Sequence, residues 1–139
     1  MYAQATSLVT RLAEMFNGRD VRAIADCFVF PLPVQVQDDL IVFHTAERMT
    51  EALLFYRANN VQQGLSPSVP RIAAIDLPRN GRFRLWVDWN YPETPGMQTQ
   101  KTQNIYYCSA SGGHIVIEMV QYLRVAAQGE LLVPIRRIA

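Results

Sequence analysis

The chain has 139 residues, half of them hydrophobic and 18% charged, with a formal net charge of +1. That length suits one soluble domain spanning 1–139 with a single substantial core. Near-neutral charge excludes the clustered basic face that nucleic acid demands, and Arg136 and Arg137 are too few to create one. No stretch has the apolar length that spans a membrane.

The N-terminal run "MYAQATSLVTRLAEMF" lacks the basic start and continuous apolar stretch of a signal peptide. Two cysteines, Cys27 and Cys108, make no disulfide framework. Reduced, buried thiols and a cytoplasmic location are the expectation.

In chain order, Leu8, Val9, Leu12, Met15 and Phe16 recur at helical spacing, and Asn17-Gly18 ends that first helix. Asp20 caps a short helix, "VRAIADCF", which Pro31 cuts off because it disfavours helical geometry at Phe30. "PVQVQ" and "LIVF" form a hairpin across Asp38-Asp39. Thr45 caps a long helix, "AERMTEALLFYRANNVQQ", with Ala46, Met49, Leu53 and Tyr56 in one stripe and Gly64 at its end. "LSPSVP" is a loop.

Four strands follow: "VPRIAAIDL", "RFRLWVDWNY", "TQKTQNIYYCS" and "HIVIEMVQYLRV". Asn80-Gly81, "PETPG" and "ASGG" are the turns between them. The expected class is α+β, with the helices packed on one face of a curled antiparallel sheet. In the last strand, alternation puts Val116, Glu118, Val120 and Tyr122 on one side and Ile115, Ile117, Met119 and Leu123 on the other. Both sides are mostly apolar, so both expect a cover. A second copy of the chain, forming a homodimer, is the simplest one. The alternative is that the C-terminal "LLVPIRRIA" folds back over that face.

This order of elements resembles the nuclear transport factor 2-like superfamily, which includes the SnoaL-type polyketide cyclases and the ketosteroid isomerases. "LAEMFNGRDVRAIADCFVFP" and "SASGGHIVIEMVQYL" carry the likeness. The resemblance implies a cone: a bent sheet and three N-terminal helices around a cavity open at one end. Related isomerases place an aspartate base before a proline, a tyrosine on the first helix and a protonated aspartate on the penultimate strand. Counting from the shared motifs puts these three places at Leu32, Leu12 and Ile105, with Asn104 pointing to the opposite face. Alkyl side chains neither accept nor donate protons, so that mechanism is set aside.

Among remaining candidates, Glu118 ranks first. Placed opposite Ile105 on the interior face, its carboxylate would sit in an apolar cavity with a raised pKa and act as general acid or base. The competing reading is an ion pair or a tyrosine contact. Asp88, in "LWVDWNY", falls on the side away from Phe83, Leu85, Val87 and Trp89. Arg84 is about 13 Å along the strand, so Lys101 is its expected structural partner. His44 at a strand–helix junction and His114 in a turn read as exposed residues.

Cys27 and Cys108 read as small buried apolar residues rather than nucleophiles. Neither a metal-ligand spacing nor a cofactor-binding motif is present. Phe28, Phe30, Trp89, Tyr107 and Tyr122, with Gln103 as a polar contact, are the candidate lining of a pocket for a small apolar molecule. Three functions stay open. One is ligand binding without turnover. The second is a lyase or isomerase using Glu118, with Tyr107 or Gln103 orienting the substrate. The third is an association module docking through its sheet face.

Overall fold

The computed structural model describes residues 2–18, 20–92 and 101–124. The expected loop "PETPG" lies almost wholly outside them, and the C-terminal "LLVPIRRIA" entirely so.

Helix α1 spans Tyr2–Asn17 and buries Ala5, Leu8, Val9 and Leu12, the face its spacing marks out. Gly18 follows because the backbone turns tightly: a Cβ there would meet Glu14 O at 2.5 Å. Asn17 then ties α1 to a distant loop. Its Nδ2 donates to Ser68 O at 2.7 Å, and Ser68 N donates to its Oδ1 at 3.0 Å. A short 3-10 helix, Val21–Cys27, comes next, with Ala23 N donating to the Asp20 carboxylate.

Strands β1 (Leu32–Val36) and β2 (Asp39–Phe43) form the expected hairpin. Val36 pairs with Asp39, so the two-residue turn is Gln37-Asp38 rather than Asp38-Asp39, and Gln37 takes a positive φ of 55°. Helix α2 spans Ala46–Gln62, and Thr45 Oγ1 accepts from Arg48 N at its start. Met49 and Tyr56 of the predicted stripe are buried, with Ala52 between them.

The remaining strands are β3 (Val69–Ile75), β4 (Arg82–Asn90), β5 (Lys101–Ser111) and β6 (His114–Arg124). Asn80 and Gly81 both have positive φ, 53° and 76°, which is the twist-matched hairpin turn their sequence announces. The six strands lie in the order β2-β1-β6-β5-β4-β3. The fold is α+β, an open curled sheet with three helices. One detail departs from the all-antiparallel expectation: β1 runs parallel to β6, with Val34 beside Val120. The sheet is therefore mixed.

Bulges produce the curl and re-aim the side chains of β6. Tyr107 pairs with Met119, but Cys108 pairs with Ile117, which leaves Glu118 as an extra residue. A second irregularity, between Gln103 and Asn104 on β5, leaves Leu123 unpaired in the same way. Past Glu118 the alternation reverses. Ile117, Val120 and Tyr122 consequently face the helices together, while Met119 and Gln121 face outward beside Tyr107 and Ile105. The expected division of β6, with Glu118, Val120 and Tyr122 on one side and Ile117 and Met119 on the other, is corrected by this one insertion. The inner side is apolar and the outer side is mixed.

Beside these inner residues stand Phe83, Leu85, Val87 and Trp89 of β4, all buried as their alternation predicts. Among the described residues, no helix is long and apolar enough to cross a membrane.

Candidate functional site

Between the helices and the inner face of the sheet lies a cavity of about 90 Å³. Leu12 and Phe16 of α1, and Met49, Ala52 and Leu53 of α2, form its helical walls. Ile24 and Phe28 close it from the short helix and the segment after it, and Leu32, Val34 and Phe43 from the first hairpin. Trp89, Thr102, Asn104, Tyr106, Val120 and Tyr122 form the sheet wall, with Tyr56, Ser68 and Tyr91 beside them.

The polar atoms of this cavity are organised into two short chains. Tyr91 Oη lies 2.8 Å from Thr102 Oγ1 and 3.4 Å from Tyr56 Oη. Trp89 Nε1 donates to Tyr106 Oη at 3.2 Å. The Asn104 amide lies beside the Tyr106 and Tyr122 hydroxyls, where it offsets part of the rise that burial imposes on them. Burial pushes the Tyr106 phenol up to about 12 and raises Tyr91 and Tyr122 as well, further from neutral pH than an ordinary tyrosine.

One atom is left over. Asn104 is 3% exposed, and its Oδ1 has no hydrogen-bond partner. An amide oxygen buried in this way costs about 1–3 kcal/mol relative to a satisfied one. Asn60, further along α2, is also buried with neither end of its amide partnered, but it does not line the cavity.

Of the residues singled out in the sequence, Phe28, Trp89 and Tyr122 line the cavity. Phe30 packs against the core without lining it. Gln103 and Tyr107 stand on the outer face. Gln103 Nε2 donates to Asp88 Oδ1 at 2.8 Å, and the Tyr107 hydroxyl donates to Gln121 Oε1 at 2.9 Å. Glu118 is also outside, where its Oε1 accepts from Arg82 Nε at 3.2 Å. The bulge explains this placement: Glu118 is the inserted residue itself, and Ile105 pairs with Gln121 instead.

The motif-derived positions divide similarly. Leu12 and Leu32 line the cavity as the resemblance implies. The third is corrected by one residue, because Asn104 faces inward and Ile105 faces out, paired with Trp86. A strand shifted by one residue exchanges its faces completely. The sign that would have found Asn104 is the apolar side of β4. Phe83 and Trp89 pair with Cys108 and Thr102, so the inward set on β5 is Thr102, Asn104, Tyr106 and Cys108.

On the outer face, Asp88 is nearly buried and held by three side chains. Arg71 Nη2 lies at 2.9 Å, Gln103 Nε2 at 2.8 Å and Lys101 Nζ at 3.8 Å. Lys101 was the expected partner; Arg71 on β3 is the closer one. Burial alone would raise this carboxyl, but the hydrogen bonds from Gln103 and Arg71 and the Lys101 charge hold it below the ordinary aspartate value. Arg84 pairs with Asp76 at 2.7 Å and stacks over Trp86 at 4.8 Å.

His44 and His114 are exposed. Cys27 and Cys108 are free and buried. Burial pushes both thiols up, Cys108 to about 12 with the Glu118 charge adding to the effect, so neither offers a thiolate.

No family model and no curated protein matches the chain. Solved structures do. A function-unknown protein from Mycobacterium tuberculosis superposes with a TM-score of 0.68 at 12% identity, over 99% of this chain and 96% of its own. An NTF-2 like protein of unknown function from Shewanella oneidensis gives 0.64 at 15% identity, over 87% and 97%. A cystatin-like-fold protein of unknown function from Nostoc punctiforme gives 0.64 at 9%, over 92% of each chain. Identities of this order speak to fold and not to activity. With its helix order, its curled six-stranded sheet and these neighbours, the chain has the nuclear transport factor 2-like fold.

Proposed function

We propose that this chain is a small-molecule-binding domain that holds a mostly apolar ligand in the cavity between its helices and its sheet. The observation that carries this reading is the composition of the lining. Its walls are aliphatic and aromatic, and its few polar atoms are neutral hydroxyls and amides gathered near the sheet. Such a surface holds an apolar body and orients it with one or two hydrogen bonds.

The same lining favours binding over proton-transfer catalysis. Among its described residues there is no carboxylate, histidine, lysine or arginine. General acid–base chemistry needs a group that titrates near the working pH, and the buried tyrosines are shifted away from it. A lyase or isomerase reading built on Glu118 would have to act from outside the cavity, through a carboxylate engaged by Arg82.

We further propose a cytoplasmic homodimer. Two buried, unpaired thiols suit a reducing compartment. Trp86 and Met119, half-buried on the outer face of the sheet and set among ion pairs, give a second copy an apolar centre with a polar rim.

The test of ligand binding is thermal unfolding of the full chain with small aromatic and aliphatic ring compounds. A ligand at one hundred times its Kd adds about 2.7 kcal/mol of stability. A rise in midpoint is expected in the wild type and not in Ala52→Leu, where a larger side chain fills the cavity. No rise with any compound, and no small molecule released from the denatured protein by mass spectrometry, would end the reading.

A further inference from the structure

We infer that the cavity selects ligands carrying a hydrogen-bond donor, and that Asn104 Oδ1 is the atom that reads it. The inference rests on the binding reading above and names the ligand class within it: a small neutral molecule, about one ring in size, bearing an N–H or O–H group.

Three observations converge. First, Asn104 presents a buried acceptor beside groups that bond to other partners. Trp89 Nε1 donates to Tyr106, Tyr91 is bonded to Thr102, and the Asn104 amide lies beside the Tyr106 and Tyr122 hydroxyls. The Asn104 oxygen has no partner although the residue is 3% exposed. A carbonyl oxygen accepts and never donates, so the group that completes it is a donor.

Second, the described lining presents no ionised side chain. A charged donor such as an ammonium would lose its hydration without a counter-charge, which favours a neutral one. Third, a volume of about 90 Å³ limits the occupant to a small body. The wall around Asn104 is built from Trp89, Tyr106, Val120 and Tyr122, and aromatic faces suit a flat ring.

A site that hydrogen-bonds a ligand N–H discriminates strongly against the analogue lacking it, because the buried acceptor is then left unpaired. Pyrrole, furan and N-methylpyrrole test this. The first carries a donor, and the other two keep the five-membered aromatic ring without it. Affinities for the full-length protein are measured by ligand-observed NMR titration.

Pyrrole is expected to bind the wild type about tenfold more tightly than either analogue. In Asn104→Leu the pyrrole–furan ratio falls to about one while furan affinity persists. If that variant does not fold, the N-methylpyrrole comparison in the wild type decides. Equal binding of all three to the wild type, or a preference for furan, overturns the donor inference and leaves the cavity reading standing. Binding of none of them overturns the donor inference for one-ring ligands, and the cavity reading then rests on the unfolding and mass-spectrometric test above.

Discussion

Ile117 and Val120 face the same side of the sheet although they are three residues apart on one strand, because Glu118 between them is the extra residue of a bulge. Strict alternation would set them on opposite faces. The bulge thus completes the apolar inner wall and turns a carboxylate outward to Arg82.

Glu118→Gln is therefore expected to have little effect. A half-exposed ion pair of this kind contributes about 1 kcal/mol or less, so the urea midpoint should move only slightly. Binding of ring compounds should be unchanged. A tenfold or larger loss of ligand affinity in this variant would return Glu118 to the site.

Asp88 predicts an acid-dependent loss of stability. Its carboxyl is held below the ordinary aspartate value in the folded protein. A depressed native pKa adds stability that is fully present above the unfolded value, about 3.9, and disappears as pH falls through the native one. Wild type should lose stability below about pH 4 more steeply than Asp88→Asn, compared by urea unfolding at stepped pH. At neutral pH, Asp88→Ala is expected to cost about 1–3 kcal/mol, since the carboxylate accepts from Arg71 and Gln103. Parallel pH curves for wild type and Asp88→Asn would contradict this.

Leu32 is 1% exposed and lines the cavity. Leu32→Ala should destabilise by about 2–5 kcal/mol, combining lost burial with a larger void. The same variant should gain affinity for rings larger than those the wild type accepts. Calorimetric unfolding measures the first effect, and a size series of aromatic probes the second. A loss of stability without any change in size preference would separate Leu32 from the binding wall.

Sedimentation equilibrium of the wild type should give twice the chain mass at micromolar concentration, and Met119→Lys, on the outer face opposite Tyr107, should shift it toward the monomer. A wild-type monomer at high concentration would remove the dimer proposal.

Local chemistry alone was enough to read most of the elements. Helix periodicity located α1 and its buried face, Asp20 and Thr45 marked the helix starts, and Asn80-Gly81 announced its hairpin. These features depend on neighbours a few residues away, so one chain displays them without partners. Leu12 falls in the buried stripe that helical spacing marks, but its place in the cavity wall, like that of Leu32 before Pro33, came from counting along the motifs of the resemblance.

The faces of β5 and β6 depended on contacts the linear chain does not display. Whether Asn104 or Ile105 looks inward depends on the register between strands, and the Glu118 bulge has no strong local mark. A one-residue difference in pairing exchanges every side chain between core and outer face. The amino-acid order by itself determined helices, turns and an α+β class, because those are short-range preferences. Only the tertiary pairing decided which carboxylate left the cavity and which amide stayed in it, because inward and outward on a strand are defined by its neighbours.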